Sequence, residues 1–185
     1  MPQPVDPQRR YHPRRFALQR PKCAVLISTA VLEWAHVERA LSTMFSVAIT
    51  PQTVDTSGSV TTSRLWTAVA VMSEMESLHM RLKIVKRTLI SLVPDDLAAQ
   101  WEGLEKQLRA RARERNTLAH GIWSYADEYP DDLLLEEDDG RVLRYTPKDF
   151  EDVVTRICDL NGEVCGFLSR IQDYVRSGRF SPPRL

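Results

Sequence analysis

Residues 94–121 read PDDLAAQWEGLEKQLRARARERNTLAHG, and this stretch decides the fold class. Leu97, Trp101, Leu104, Leu108 and Leu118 recur at helical spacing among strong helix formers, which predicts one long helix. Pro94 suits a first helical turn, and Asp95 and Asp96 suit the positive N-terminal end. Gly121 stands where a helix stops, in the usual C-terminal role of glycine. Arg111 and Arg115 fall on the same stripe as the leucines. Burying an arginine bare costs several kcal/mol, so each needs a partner or a wet cleft.

The same periodicity extends on both sides. Leu26, Ala30, Trp34, Val37, Leu41, Phe45 and Ala48 predict a first helix from Pro21 or Lys22 to Ile49. A Thr/Ser/Pro/Gly-rich loop follows from Thr50 to about Thr62. Leu65, Val69, Met72, Met75, Leu82 and Leu89 predict a second helix from about Ser63 to Leu92 or Val93. After Gly121 the period shortens. Ile122–Tyr125, Leu133–Glu136 and Arg141–Tyr145 read as short strands, with Asp138-Asp139-Gly140 as the turn between the last two. Thr146-Pro147-Lys148-Asp149 then opens the last helix, with Thr146 as cap, Pro147 in the first position and Asp149 closing a near capping box. That helix runs through Phe150, Val153, Ile157, Leu160, Val164, Phe167, Leu168, Ile171 and Tyr174 to about Ser177. The expected architecture is all-α: a four-helix antiparallel bundle with a small β-hairpin insertion before the last helix.

Composition narrows the class. With 185 residues, 43% of them hydrophobic and 27% charged, the chain suits one soluble domain with a sizeable core. No run of 18 or more apolar residues predicts a membrane span. Cys23, Cys158 and Cys165 form neither metal-ligand spacing nor an obvious disulfide set, so a reducing, cytoplasmic setting is expected. Net charge is zero but unevenly spread. Arg9, Arg10, Arg14, Arg15, Arg20 and Lys22 form a basic N-terminal arm, flexible over residues 1–20 and able to meet nucleic-acid phosphates or simply to stay solvated. The helical domain is expected over residues 21–180.

Arg115-Asn116-Thr117-Leu118-Ala119-His120-Gly121 carries the chemistry. Arginine offers a permanent planar charge that grips phosphate oxygens, and histidine exchanges protons near neutral pH. Asn116 lies four residues before His120 on the same helical face and can orient the imidazole. Arg115 and His120 are five residues apart, about 140° around a straight helix. Arg113 lies on the face of His120, so either arginine can be the working one. No clustered His/Asp/Glu/Cys set has metal-ligand spacing, and no cofactor is called for.

The pattern Arg-Asn-x-x-x-His resembles the signature of HEPN domains. These are helical, usually dimeric modules, many of them endoribonucleases in toxin–antitoxin, defence and RNA-processing systems. The resemblance covers the motif at residues 115–121 and, in architecture, roughly Pro21 to Ser177. It implies metal-independent RNA cleavage through the 2′-hydroxyl, with Arg115, His120 and Asn116 catalytic. It also implies a homodimer that brings two motifs into one cleft, and an antitoxin partner such as a small nucleotidyltransferase. An acidic residue in an early helix often assists the motif in that family, which points to Glu38 before Glu33. The alternative is a HEPN-like module that binds nucleotides or a protein without cutting.

Around the motif, Arg111 and Arg113 are auxiliary candidates. Lys106 and Arg109, with Lys83, Lys86 and Arg87, can line an RNA path or form a solvated face. Tyr125 can stack on a splayed base, whereas Trp123 is expected to pack in the core. His79 reads as a hydrogen-bonded core or interface histidine, and Cys158 and Cys165 as small buried hydrophobes.

Overall fold

The structure is a computed structural model that describes residues 2–7, 16–49, 53–54, 60–61, 65–75, 77–90 and 92–177. The chain is mostly helical, with a small antiparallel sheet. Its helices are α1 (Phe16–Gln19), α2 (Pro21–Ile49), α3 (Leu65–Ser73), α4 (Leu78–Ile90), α5 (Asp95–His120) and α6 (Pro147–Arg176). The strands are β1 (Gln3–Pro4), β2 (Thr53–Val54), β3 (Val60–Thr61), β4 (Ile122–Ser124), β5 (Leu133–Glu136) and β6 (Val142–Tyr145). No helix among the described residues is long and apolar enough to cross a membrane.

Helices α2, α5 and α6 begin and end within a residue or two of where their apolar spacing and caps place them. The single helix expected from Ser63 to Leu92 is instead two, α3 and α4. Ser77 explains the break: its Oγ accepts from the Met80 amide at 3.3 Å, so it caps a fresh helix start, while Arg81 Nε donates to the Met75 carbonyl at 3.0 Å. Inside the expected Thr50–Thr62 loop, β2 pairs with β3, Thr53 opposite Thr61. The rest of that loop lies outside the described residues.

Backbone proximity divides the chain into two units, residues 1–34 with 111–159, and residues 35–110 with 160–185. The second unit is helical. Trp101 stacks on Phe167 at 5.8 Å and Gln107 Nε2 donates to Glu163 at 2.7 Å, so later positions on α5 meet earlier ones on α6. Arg109 meets His79 at 3.0 Å and Lys86 meets Glu102 at 3.5 Å, which gives α4 and α5 the same antiparallel sense. Leu41, Met44, Leu82, Leu89, Trp101, Leu108 and Phe167 are buried in this unit.

The first unit holds the sheet, ordered β1-β6-β5-β4 and antiparallel throughout. Leu133, Leu135, Trp123 and Tyr145 share one face, as the register opposes Leu133 to Tyr145 and Trp123 to Leu135. Trp123, Tyr145 and Phe150 from the start of α6 form an aromatic cluster with centroids 5.1–5.5 Å apart. On the other face Ala126, Leu134 and Val142 cluster with Val5 and Tyr129. With both faces covered, β5 is buried throughout Leu133–Leu135.

Two residues of the expected basic arm serve the fold. Arg20 donates to the carbonyls of Asp132 (3.3 Å), Ala126 and Tyr129 (both 3.2 Å), and lies 5.1 Å from the Tyr125 ring. Lys22 pairs with Glu151 at 3.0 Å. Arg9, Arg10, Arg14 and Arg15 lie outside the described residues.

The buried stripe of α6 is Phe150, Val153, Ile157, Leu160, Val164, Phe167, Ile171 and Val175. Cys158 and Cys165 each sit one residue beyond a stripe member, about 100° around the helix, and are exposed rather than buried as expected. Cys23 is the buried one. Its Sγ lies 3.3 Å from the Asp131 carbonyl, and burial, aided by the charge of Asp132, pushes its pKa up to about 11.

Candidate functional site

The motif occupies the last turns of α5 and the step into β4. Leu118 is buried, and its carbonyl accepts from Trp123 Nε1 at 3.1 Å, which ties the helix end to the first strand. Asn116 and His120 are exposed and line one groove of about 500 Å³, with Thr117, Gly121 and Leu135. Arg115 is half-buried: its Nη1 donates to Asn116 Oδ1 at 3.2 Å, whereas its Nε is buried without a hydrogen-bond partner. The helix thus brings Asn116 and His120 onto a common wall, whereas Arg115 does not line that groove and touches it only through its bond to Asn116.

The opposite wall comes from the β5–β6 turn: Glu136, Glu137, Asp138, Asp139 and Arg141. Arg141 is committed within the turn, to Glu137 at 3.0 Å and to Asp139 at 2.7 Å. Arg141 also bonds the Asp139 carboxylate through its amide, the main cause that holds this carboxyl below its ordinary range. Four acidic residues and one arginine therefore line the groove that His120 also lines.

Gly121 is required for a reason other than the one expected. The positive backbone φ among the described residues belongs to Gly140, at 82°, in the turn, and not to Gly121. A Cβ at 121 would meet the Thr117 carbonyl oxygen at 2.5 Å and Leu135 Cδ1 at 2.6 Å. Glycine lets the chain pass between helix and sheet, and so sets His120 at the groove's edge.

Arg113 is exposed and enters a second cleft, of about 310 Å³, rather than the His120 groove. Thr117 is in the wall of both. Arg111 pairs with Glu114 at 3.0 Å, so this arginine is satisfied within its own chain and does not by itself require a second subunit. Arg156 joins the same carboxylate at 3.3 Å.

Most of the remaining candidates have other partners. Glu38 pairs with Arg81 at 3.1 Å. Arg109 binds Glu105 at 2.6 Å and the ring of His79, so its guanidinium is engaged. His79 is exposed, not a core residue, because α4 starts afresh at Leu78 and turns the expected stripe away. Lys106 is exposed on α5. One face of the Tyr125 ring is covered by Arg20, while Trp123 packs in the core as expected. Among the described residues no group of three or more His, Cys, Asp or Glu side chains is placed to hold a metal ion. Thr117 and Tyr145 were missed at the sequence level. The signal for Thr117 is its position four residues after Arg113; Tyr145 showed only strand alternation.

Comparison of the chain with family models, with curated proteins and with solved structures gave no match.

Proposed function

We propose that the chain is a HEPN-type endoribonuclease that cleaves RNA through its own 2′-hydroxyl. The observation that carries this reading is the shared groove wall of Asn116 and His120, with Arg115 hydrogen-bonded to Asn116. In the reaction the 2′-oxygen attacks phosphorus as its proton passes to a base. The bond to the 5′-oxygen breaks as an acid protonates that oxygen. The products are a 2′,3′-cyclic phosphate and a 5′-hydroxyl. His120 serves one of the two proton transfers. Arg115 neutralises charge that builds on the phosphoryl oxygens, and Asn116 orients it. The other proton transfer falls to a second His120 in a homodimer.

A second reading has its own support. The carboxylates opposite His120 repel RNA phosphate and attract a cationic partner. On that reading the chain is a non-catalytic interaction module and the groove holds a basic segment of an antitoxin-like protein.

Incubation of unmodified RNA with excess chelator, wild type against His120→Ala and Arg115→Ala, separates the two. The nuclease reading expects cyclic-phosphate ends in chelator and a loss on the order of 10²-fold or more in each variant. It fails if wild type leaves every RNA intact or if His120→Ala cuts as well. The interaction reading expects Asp138→Asn with Asp139→Asn to weaken capture of a basic partner peptide.

A further inference from the structure

The second cleft lies within the first unit, between the end of α5 and the start of α6. Arg113, Thr117 and Tyr145 enter it, over a floor that includes Leu118 and Val153. Its three carboxylates are already engaged. Glu114 holds Arg111 and Arg156, Asp152 holds Lys148 at 2.8 Å, and Asp149 accepts from the Thr146 hydroxyl at 2.7 Å. Arg113, the Thr117 hydroxyl and the Tyr145 hydroxyl have no hydrogen-bond or ion-pair partner among the described residues. Three unspent donors, one with a permanent charge, thus converge on one concave site. A tyrosine phenol is protonated, and so a donor, at neutral pH, and burial of Tyr145 pushes its pKa further up.

We infer that this cleft is a nucleotide subsite, in which Arg113, Thr117 and Tyr145 hold a phosphate while the sugar or base lies on Leu118 and Val153. A guanidinium with two hydroxyls matches phosphate oxygens. The bound carboxylates at the rim keep acceptor lone pairs for sugar hydroxyls or exocyclic amines. A volume of about 310 Å³ suits one nucleotide unit. Thr117 belongs to both cavities, so a strand held here continues past His120. The inference deepens the nuclease reading and rests on it for the polymer; the phosphate chemistry is common to RNA and to a free nucleotide.

The test uses two probes on the full chain: a fluorescent 2′-O-methyl hexaribonucleotide, which cannot be cleaved, and adenosine monophosphate. Arg113→Ala is expected to weaken binding about tenfold, and Arg113→Lys to recover part of it. Thr117→Val and Tyr145→Phe are each expected to weaken it about threefold. Tyr145→Phe keeps the ring against Trp123 and Phe150, so an unchanged melting temperature isolates the hydroxyl. Binding of the hexamer without cleavage of unmodified RNA keeps the subsite and removes the nuclease. Binding of the monophosphate alone, with the same variant pattern, assigns the cleft to a free nucleotide. The inference is overturned if neither probe binds, or if Arg113→Ala and Tyr145→Phe bind as wild type does.

Discussion

Gly121→Ala tests whether helix and sheet meet as closely as the structure shows. The added methyl would lie 2.5 Å from the Thr117 carbonyl oxygen and 2.6 Å from Leu135 Cδ1. The carbonyl cannot retreat freely, because it accepts the Gly121 amide at 2.9 Å, and Leu135 is buried. Overpacking of this kind costs about 1–3 kcal/mol. The smaller entropy of the unfolded alanine chain returns about 0.4–1 kcal/mol. The net spans about 0–2.6 kcal/mol and centres near 1.3 kcal/mol of destabilisation, which for a chain of this size lowers the melting temperature by roughly 3–5 °C. Gly103→Ala, inside α5, is the control. Its Cβ would meet nothing within 4 Å, so alanine there stabilises by about 0.5–1 kcal/mol through helix propensity alone. Thermal melts by far-UV circular dichroism, with urea midpoints, read both. The reasoning is refuted if Gly121→Ala melts at or above wild type, or if the two substitutions shift stability in the same direction.

Arg20→Ala removes a cation that donates to three carbonyls of the 126–132 loop; a loss of about 2–4 kcal/mol is expected in urea unfolding, with Arg20→Lys recovering only part. An unchanged midpoint would show that the loop holds itself. The Thr146–Asp149 box is expected to contribute about 1 kcal/mol at pH 7. Burial raises the Asp149 pKa, but hydrogen bonds and charge, the bond from the Thr146 hydroxyl foremost among them, leave the carboxyl below its ordinary value. The contribution is therefore present above the unfolded pKa of about 3.9 and lost as pH falls through the lower folded value, so the cost of Asp149→Ala should shrink in acid. With Cys158 and Cys165 exposed and Cys23 buried, iodoacetamide should add two labels to the native chain at pH 8 and the third only after unfolding, as counted by mass spectrometry. Rapid labelling of Cys23 would contradict its burial.

The nature and bounds of α2, α5 and α6 were legible in the sequence because the signals are local. A run such as Leu97, Trp101, Leu104 and Leu108, or Thr146 with Asp149, declares itself within a few turns. The strands at 122–124, 133–136 and 142–145 were legible for the same reason, and so was the Asp139-Gly140 turn. Asn116 and His120 share a groove because their spacing of four residues is itself a statement about a helix face. What faces that wall was not legible. The acidic turn opposite His120 comes into place only through the register of β5 on β4, and the tight passage at Gly121 depends on Leu135, fourteen positions away. Arg20 read as part of a charged arm because its acceptors lie more than a hundred residues downstream. His79, Cys158 and Cys165 show the remaining limit. One residue along a helix is about 100° of rotation, so an apolar stripe read one position out exchanges core for solvent. Only the packed partners of each helix, which are distant in sequence, decide which side is inside.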